Sequence, residues 1–270
     1  MLYTMKGIIV NFFDKETRII EAFRESNLKQ VLFLNYSFSL ICFYFSLLST
    51  GSFKNWKDNS SDTNNPPDFY NTKTKTMLEV MRIDDYRKGP KHPNAFETRK
   101  AQELVNNLQS QGIVVDSEQD IIIVNSLFED VSENNCDLYL SNFKRIVGNH
   151  IKKIQSYKES HPRYKLGFLI FDESPAYIET KVKYEGVPHS GDAVGPARYY
   201  NAPCDKRFIR VFLESDIDYV IWMTPYKWFA GNPTNSLKDV FLIDVNKAKR
   251  KPLRNLIDYN YENILCLEAE

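Results

Sequence analysis

The sequence predicts an α/β (or α+β) protein built on one mixed central β-sheet flanked by helices. Three observations predict it. Short apolar runs of strand length recur at 77–81, 165–171, 219–223 and 240–245. Segments with apolar residues at helical spacing lie between some of them, the longest over 136–160. No internal repeat is present, so alternation of the two periods organises the chain.

Taken in order, 7–13 reads as an opening strand. Asp14 then supplies a helix N-cap, and Ile19, Ile20 and Phe23 form the apolar stripe of the helix that follows. Glu16 sits in its first turn. Residues 31–49 come next, and then a polar Asn-, Asp- and Ser-rich loop over 55–67 that ends in Pro66-Pro67. Asp68-Phe69-Tyr70 leads into a short buried strand, Met77-Leu78-Glu79-Val80-Met81. The loop 87–93 is turn-rich, and Asn94 with Glu97 caps a helix over 95–108 that carries Ala101, Leu104, Val105 and Leu108.

A strand at 113–115 and an apolar segment at 121–127 precede the best helical pattern in the chain. Its stripe is Leu138, Phe143, Ile146, Val147, Ile151, Ile154 and Tyr157. The run 165–171 closes in Asp172-Glu173-Ser174. Residues 181–204 read as loop, and 208–213, 219–223, 240–245 and 264–267 read as strands. Two regions follow: 1–130 as the core with the candidate site, and 131–270 as a continuation of the same sheet or a C-terminal subdomain with basic surfaces.

Composition excludes several classes. Across 270 residues, 43% hydrophobic, 14% aromatic and 26% charged argue against a disordered chain, a collagen or a coiled coil. Ten glycines count against several phosphate-cradling loops. The four cysteines are far apart, form no CxxC pair and fit free thiols in a reducing compartment, so a cytoplasmic location is expected. The charge-free stretch 31–49, nineteen residues long, approaches the length of a membrane helix. Its Asn35, its serines and its aromatic content suit a buried helix, or two buried strands joined near Ser37, and no membrane partner is expected.

The informative chemistry is Pro67-Asp68 followed by Glu79 inside an apolar strand. A carboxylate flanked by apolar neighbours is desolvated, so it calls for a cation, a metal or a proton. If Asp68 begins the neighbouring strand of a hairpin, the two carboxylates face one another. Hard oxygens so arranged suit Mg²⁺, or Mn²⁺, which can activate water and stabilise charge on a phosphodiester. The plainer readings are a turn or cap role for Asp68, an ion pair for Glu79 with Arg82, Arg87 or a lysine, and a helix-dipole role for Glu16.

Pro67-Asp68, then Glu79 in a hydrophobic strand, preceded by a helix bearing Glu16 and followed by helix 95–108, resembles the restriction-endonuclease-like, or PD-(D/E)xK, nuclease superfamily over about the first 110 residues. The resemblance implies a restriction-endonuclease-like core, Asp68 and Glu79 as metal ligands, Glu16 as an accessory carboxylate and endonuclease activity as a hydrolase. The family's strand lysine, two positions after the Glu, is Met81 here. Lys100 on the next helix, Arg82 or Lys75 are the replacements weighed, and Gln102 is a candidate to position a water. The alternative is an inactive nucleic-acid-binding or protein-inhibitor module on the same fold.

Two other features bear on partners. Asp172-Glu173, at a strand end, is a second acidic pair, its plain reading an acidic turn. Lys144, Arg145, Lys152, Lys153, Lys158, Arg163 and Lys165 stand against only Glu159 over 141–165, and Lys247, Lys249, Arg250, Lys251 and Arg254 stand without an acid over 247–254. In a chain whose 35 basic residues balance 35 acidic ones, such local fields can neutralise phosphates. Lys152, Lys153, Lys249, Arg250 and Lys251 are the nucleic-acid contacts expected, to DNA before RNA, and a homodimer is allowed. Tyr199, Tyr200, Trp222, Tyr226, Trp228 and Phe229 are either base-stacking or core aromatics.

Overall fold

A computed structural model describes residues 16–25, 31–60, 67–83, 136–174, 176–181, 197–224, 240–253 and 255–266. The expected strand at 7–13, the cap Asp14, the helix 95–108 with Lys100 and Gln102, the segments at 113–115 and 121–127, and Tyr226, Trp228 and Phe229 lie outside the described residues.

The described chain is mixed α/β. Helix α1 (Glu16–Glu25) is followed by β1 (Val31–Phe33), α2 (Phe38–Leu48), the short α3 (Thr50–Phe53) and a meander of β2 (Trp56–Asp58), β3 (Phe69–Asn71) and β4 (Thr76–Ile83). Then come α4 (Cys136–Ile151), α5 (Ile154–Ser160), β5 (Lys165–Asp172), β6 (Tyr177–Thr180) and β7 (Ala197–Tyr199). The chain continues through α6 (Lys206–Leu213), β8 (Tyr219–Met223), β9 (Val240–Asp244), α7 (Val245–Arg250) and β10 (Ile264–Cys266).

Seven strands make the central sheet in the order β1-β9-β8-β5-β4-β3-β2. The β2–β3–β4 meander is antiparallel, while β4, β5 and β8 run parallel and β9 reverses. Strands from both halves of the chain thus share one sheet. A second, three-stranded sheet is ordered β10-β6-β7.

Period-two alternation divides the central strands between two apolar clusters. Met77, Met81, Phe168, Ile170, Trp222 and Ile243 pack with Phe143, Val147, Tyr157, Phe208 and Phe212 of α4, α5 and α6. Leu78, Val80, Leu169, Phe171, Ile221 and Leu242 pack with Ile19, Ile20 and Phe23 of α1 and Leu40, Phe43 and Leu47 of α2. Each face burying its own helices explains why these strands are apolar throughout, as parallel strands covered on both sides must be.

The uncharged stretch 31–49 divides into an edge strand and a helix. Ser37 caps α2 by accepting from the Leu40 amide, and α2 lays Phe43 against the sheet over Gly167, where a Cβ would lie 2.2 Å from Phe43 Cζ. Among the described residues no helix is long and apolar enough to cross a membrane.

Two sequence expectations are corrected. Residues 208–213, read as a strand from their aromatic and branched residues, form most of α6. Asp205 caps that helix, accepting from the Arg207 amide at 2.7 Å, and Phe208, Ile209 and Phe212 turn inward at helical spacing. The helix expected over 136–160 is broken into α4 and α5 at Lys152-Lys153.

Candidate active site

The β3–β4 hairpin builds the site. Phe69 pairs with Leu78 and Tyr70 with Met77, so the register carried one step further sets Asp68 opposite Glu79. The Asp68 backbone is held from the other side, its carbonyl accepting from the Asn59 amide at 2.7 Å. Beyond this point β3 has ended and β4 runs on, leaving the Val80 amide without a strand partner on that edge. The Asp68 side chain takes that place: Val80 N donates to Asp68 Oδ2 at 2.7 Å. The Asp68 amide in turn lies 3.4 Å from Glu79 Oε2.

Glu79 is 3% exposed and shares its sheet face with Met77 and Met81, under the junction of α4 and α5. Tyr157 Oη donates to Glu79 Oε1 at 2.6 Å, and His150 Nδ1 lies 2.7 Å from the same oxygen. An ionised carboxylate only accepts, so toward the charged form of Glu79 the imidazole meets Oε1 with Nδ1 as the donor. Both donors come from the helical segment whose break at Lys152-Lys153 re-aims the chain over the strand. Arg82, weighed as a partner for Glu79, instead pairs with Glu173 at 2.8 Å.

Burial and then the neighbouring Glu79 charge push the Asp68 carboxyl from its ordinary 3.8 up to about 8. Glu16 pushes the same way, while the Val80 amide and Lys153 oppose it. Two other carboxylates that the sequence singled out, Glu79 and Glu16, therefore act on the Asp68 carboxyl. Burial and the Glu79 carboxylate also hold the Tyr157 phenol well above its usual range, so it acts as a donor. Among the described residues, no group of three or more His, Cys, Asp or Glu side chains is arranged to hold a metal ion.

The second acidic pair is differently built. Asp172 is fully buried, and its Oδ2 accepts from Tyr139 Oη and from Trp222 Nε1 at 3.0 Å. Its Oδ1 accepts from the Ser174 amide at 3.0 Å and Ser174 Oγ at 2.6 Å. Both oxygens are satisfied by protein donors, and Glu173 is held by Arg82.

All five expected basic contacts, Lys152, Lys153, Lys249, Arg250 and Lys251, are exposed. Lys153 is the one whose charge reaches Asp68. Lys249 gives its ammonium to the Ser215 carbonyl, and Arg250 Nε donates to the Asn246 carbonyl at 3.2 Å, so this second cluster is partly committed to its own backbone. Tyr200 and Trp222 are core residues, fully buried. Lys75 lies in the hairpin turn with φ 50°, and Lys100 lies outside the described residues.

Sequence reasoning missed His150 and Tyr157 as neighbours of Glu79. The spacing His150, Lys153, Tyr157 sets three polar functions along one side of a helix near its apolar stripe, but it does not point to Glu79, 71 and 78 residues away from His150 and Tyr157. No family model, curated protein or solved structure matches this chain.

Proposed function

We propose that this protein is a metal-dependent nuclease on a restriction-endonuclease-like core, cutting phosphodiester bonds of DNA or RNA. The observation that carries the reading is the juxtaposition of Asp68 and Glu79 across the end of the β3–β4 hairpin, with Glu16 and Lys153 in electrostatic range of Asp68. The donor set fits an ion in kind. Mg²⁺ is bound through one or two carboxylates, the rest of its shell being water and substrate phosphate, and a carboxyl raised by its neighbours' charge is relieved by a cation. Asp68 and Glu79 would be the direct ligands and Glu16 an outer carboxylate. A bound Mg²⁺ or Mn²⁺ would supply Lewis acidity at the phosphate and a water brought close to ionisation.

The chain's own residues do the rest. Lys153, beside the acids, meets the phosphate as a positive charge and takes the place proposed for the absent strand lysine. Lys152 extends that positive rim. Asp68 keeps the open edge of β4 closed while presenting Oδ1, which no donor reaches among the described residues.

The test is incubation of the protein with supercoiled plasmid and, separately, with single-stranded RNA, in Mg²⁺ and in Mn²⁺. Cleavage abolished by Glu79→Gln is expected. Cleavage that survives the substitution, or none with either ion on either substrate, counts against the site. The second reading is an inactive nucleic-acid-binding or inhibitor module, favoured by Met81, which is 3% exposed in the core where the family's lysine belongs. Binding that weakens steeply with salt, without turnover, selects its nucleic-acid form.

A further inference from the structure

The two oxygens of Glu79 are used unequally. Oε1 takes both strong donors, Tyr157 Oη at 2.6 Å and His150 Nδ1 at 2.7 Å, which fills its two lone pairs. Among the described residues, the nearest donor to Oε2 is the Asp68 amide, at the long distance of 3.4 Å. The buried Asp172 shares its donors evenly, two on each oxygen. At Glu79 the two short bonds fall on Oε1, and Oε2 is the oxygen nearer the Asp68 amide.

The helix geometry explains how this is done. His150 and Tyr157 are seven residues apart, about 10 Å along a straight helix, too far for two short side chains to meet one atom comfortably. The chain tightens between them. Lys152 N donates to the Gly148 carbonyl at 3.1 Å, Lys153 N to the His150 carbonyl at 3.0 Å, and Tyr157 N to the Lys153 carbonyl at 3.1 Å, which restarts the helix. Val147 and Ile154, buried in the cluster beneath, anchor both sides of the break. His150 closes on Oε1 from one side and Tyr157 from the other.

We propose that His150 and Tyr157 are positioning residues that clamp Glu79 Oε1, turning Oε2 toward Asp68 and preorganising the pair for a divalent ion. This rests on the metal-site reading above. The clamp restricts the carboxylate to one usable oxygen, so Glu79 binds through Oε2 alone. It also ties the geometry of the acidic pair to the α4–α5 break, the same turn that presents Lys153.

Mn²⁺ alone is the probe, with the unbound ion counted by electron paramagnetic resonance, so that no catalysis is required. Glu79→Gln should abolish binding. Tyr157→Phe, which keeps the ring in the core and removes only the hydroxyl, should weaken it about tenfold, as loss of a group orienting a metal ligand does. His150→Ala should weaken it similarly. His150→Asn, which retains an N–H donor at the same position, should restore most of the loss. The His150 side chain is 22% exposed, so these variants test the clamp even if the tyrosine change harms folding. Wild-type affinity in Tyr157→Phe and His150→Ala, with Glu79→Gln still inactive in binding, overturns the clamp and leaves the metal reading standing. No Mn²⁺ binding by the wild type overturns both.

Discussion

Glu79 and Asp172 are buried acids on neighbouring parallel strands of one sheet, yet they are stabilised in opposite ways. Asp172 ends β5 inside a cage of four donors, from Tyr139, Trp222 and the amide and hydroxyl of Ser174. Every lone pair it directs at the protein is answered, and its charge is spread over dipoles that folding has already fixed. Glu79 has its two short bonds on one oxygen, and its other oxygen meets only the Asp68 amide among the described residues, at 3.4 Å. The first arrangement completes a core. The second sets beside a buried acid a carboxyl that burial and the Glu79 charge push up to about 8, so that Asp68 tends to keep a proton. Two buried acids thus differ in how their donors are distributed.

The largest effect is expected at Asp172. Asp172→Ala leaves the phenol, the indole N–H and both Ser174 donors without their acceptor in a closed interior, and should cost about 3 kcal/mol or more. Urea unfolding with unchanged m-value is the measurement, and a loss under about 1 kcal/mol would remove the distinction drawn here. Glu79→Gln should cost less, within about 1 kcal/mol of wild type, because the amide oxygen still accepts from Tyr157 and His150 while repulsion with Asp68 disappears.

A bound ion should sharpen the contrast. At a Mg²⁺ concentration about 100-fold above its dissociation constant, the wild type should gain about 2.7 kcal/mol. Glu79→Gln should gain nothing, whereas a partly folded Asp172 variant should respond like the wild type. Differential scanning calorimetry with and without the ion separates these outcomes.

The pH dependence is a smaller effect with a definite sign. Asp68 is raised in the folded state, so the folded protein keeps a proton that the unfolded chain releases above about 4. Its contribution to stability is therefore complete below the ordinary 3.8 and is lost as the pH rises through about 8. Asp68→Asn should flatten the melting temperature between these limits, and a decline equally steep in the variant would assign it to other groups. The smallest change expected is at the rim: Lys152→Ala should lower the slope of log affinity for nucleic acid against log salt by about one.

The strand at Met77–Met81 could be read directly from its run of apolar residues, and the acid within it stood out because apolar neighbours cannot compensate a charge. Asp68 could be set opposite it only on the condition that it opens the neighbouring strand of a hairpin, and β3 begins one residue later, at Phe69. Residues 208–213 misled for a physical reason: Phe, Ile and Val favour strands in isolation, and the cap at Asp205 decided for a helix. His150 and Tyr157 could not be paired with Glu79 from spacing, since more than seventy residues separate them and the break at Lys152-Lys153 aims both at one atom.

By itself, the sequence determined the alternation of strands and helices, the two-sided burial of the sheet, and the presence of a carboxylate where water is scarce. Those follow from hydrophobic periodicity, a local property of the chain. Tertiary structure alone decided which acids are satisfied and which confront each other, because donors arrive from distant segments and only packing fixes their directions. Glu79 read as an acid within an apolar strand and Asp172 as one at a strand end; the tyrosines, the histidine and the indole that surround them come from elsewhere in the fold.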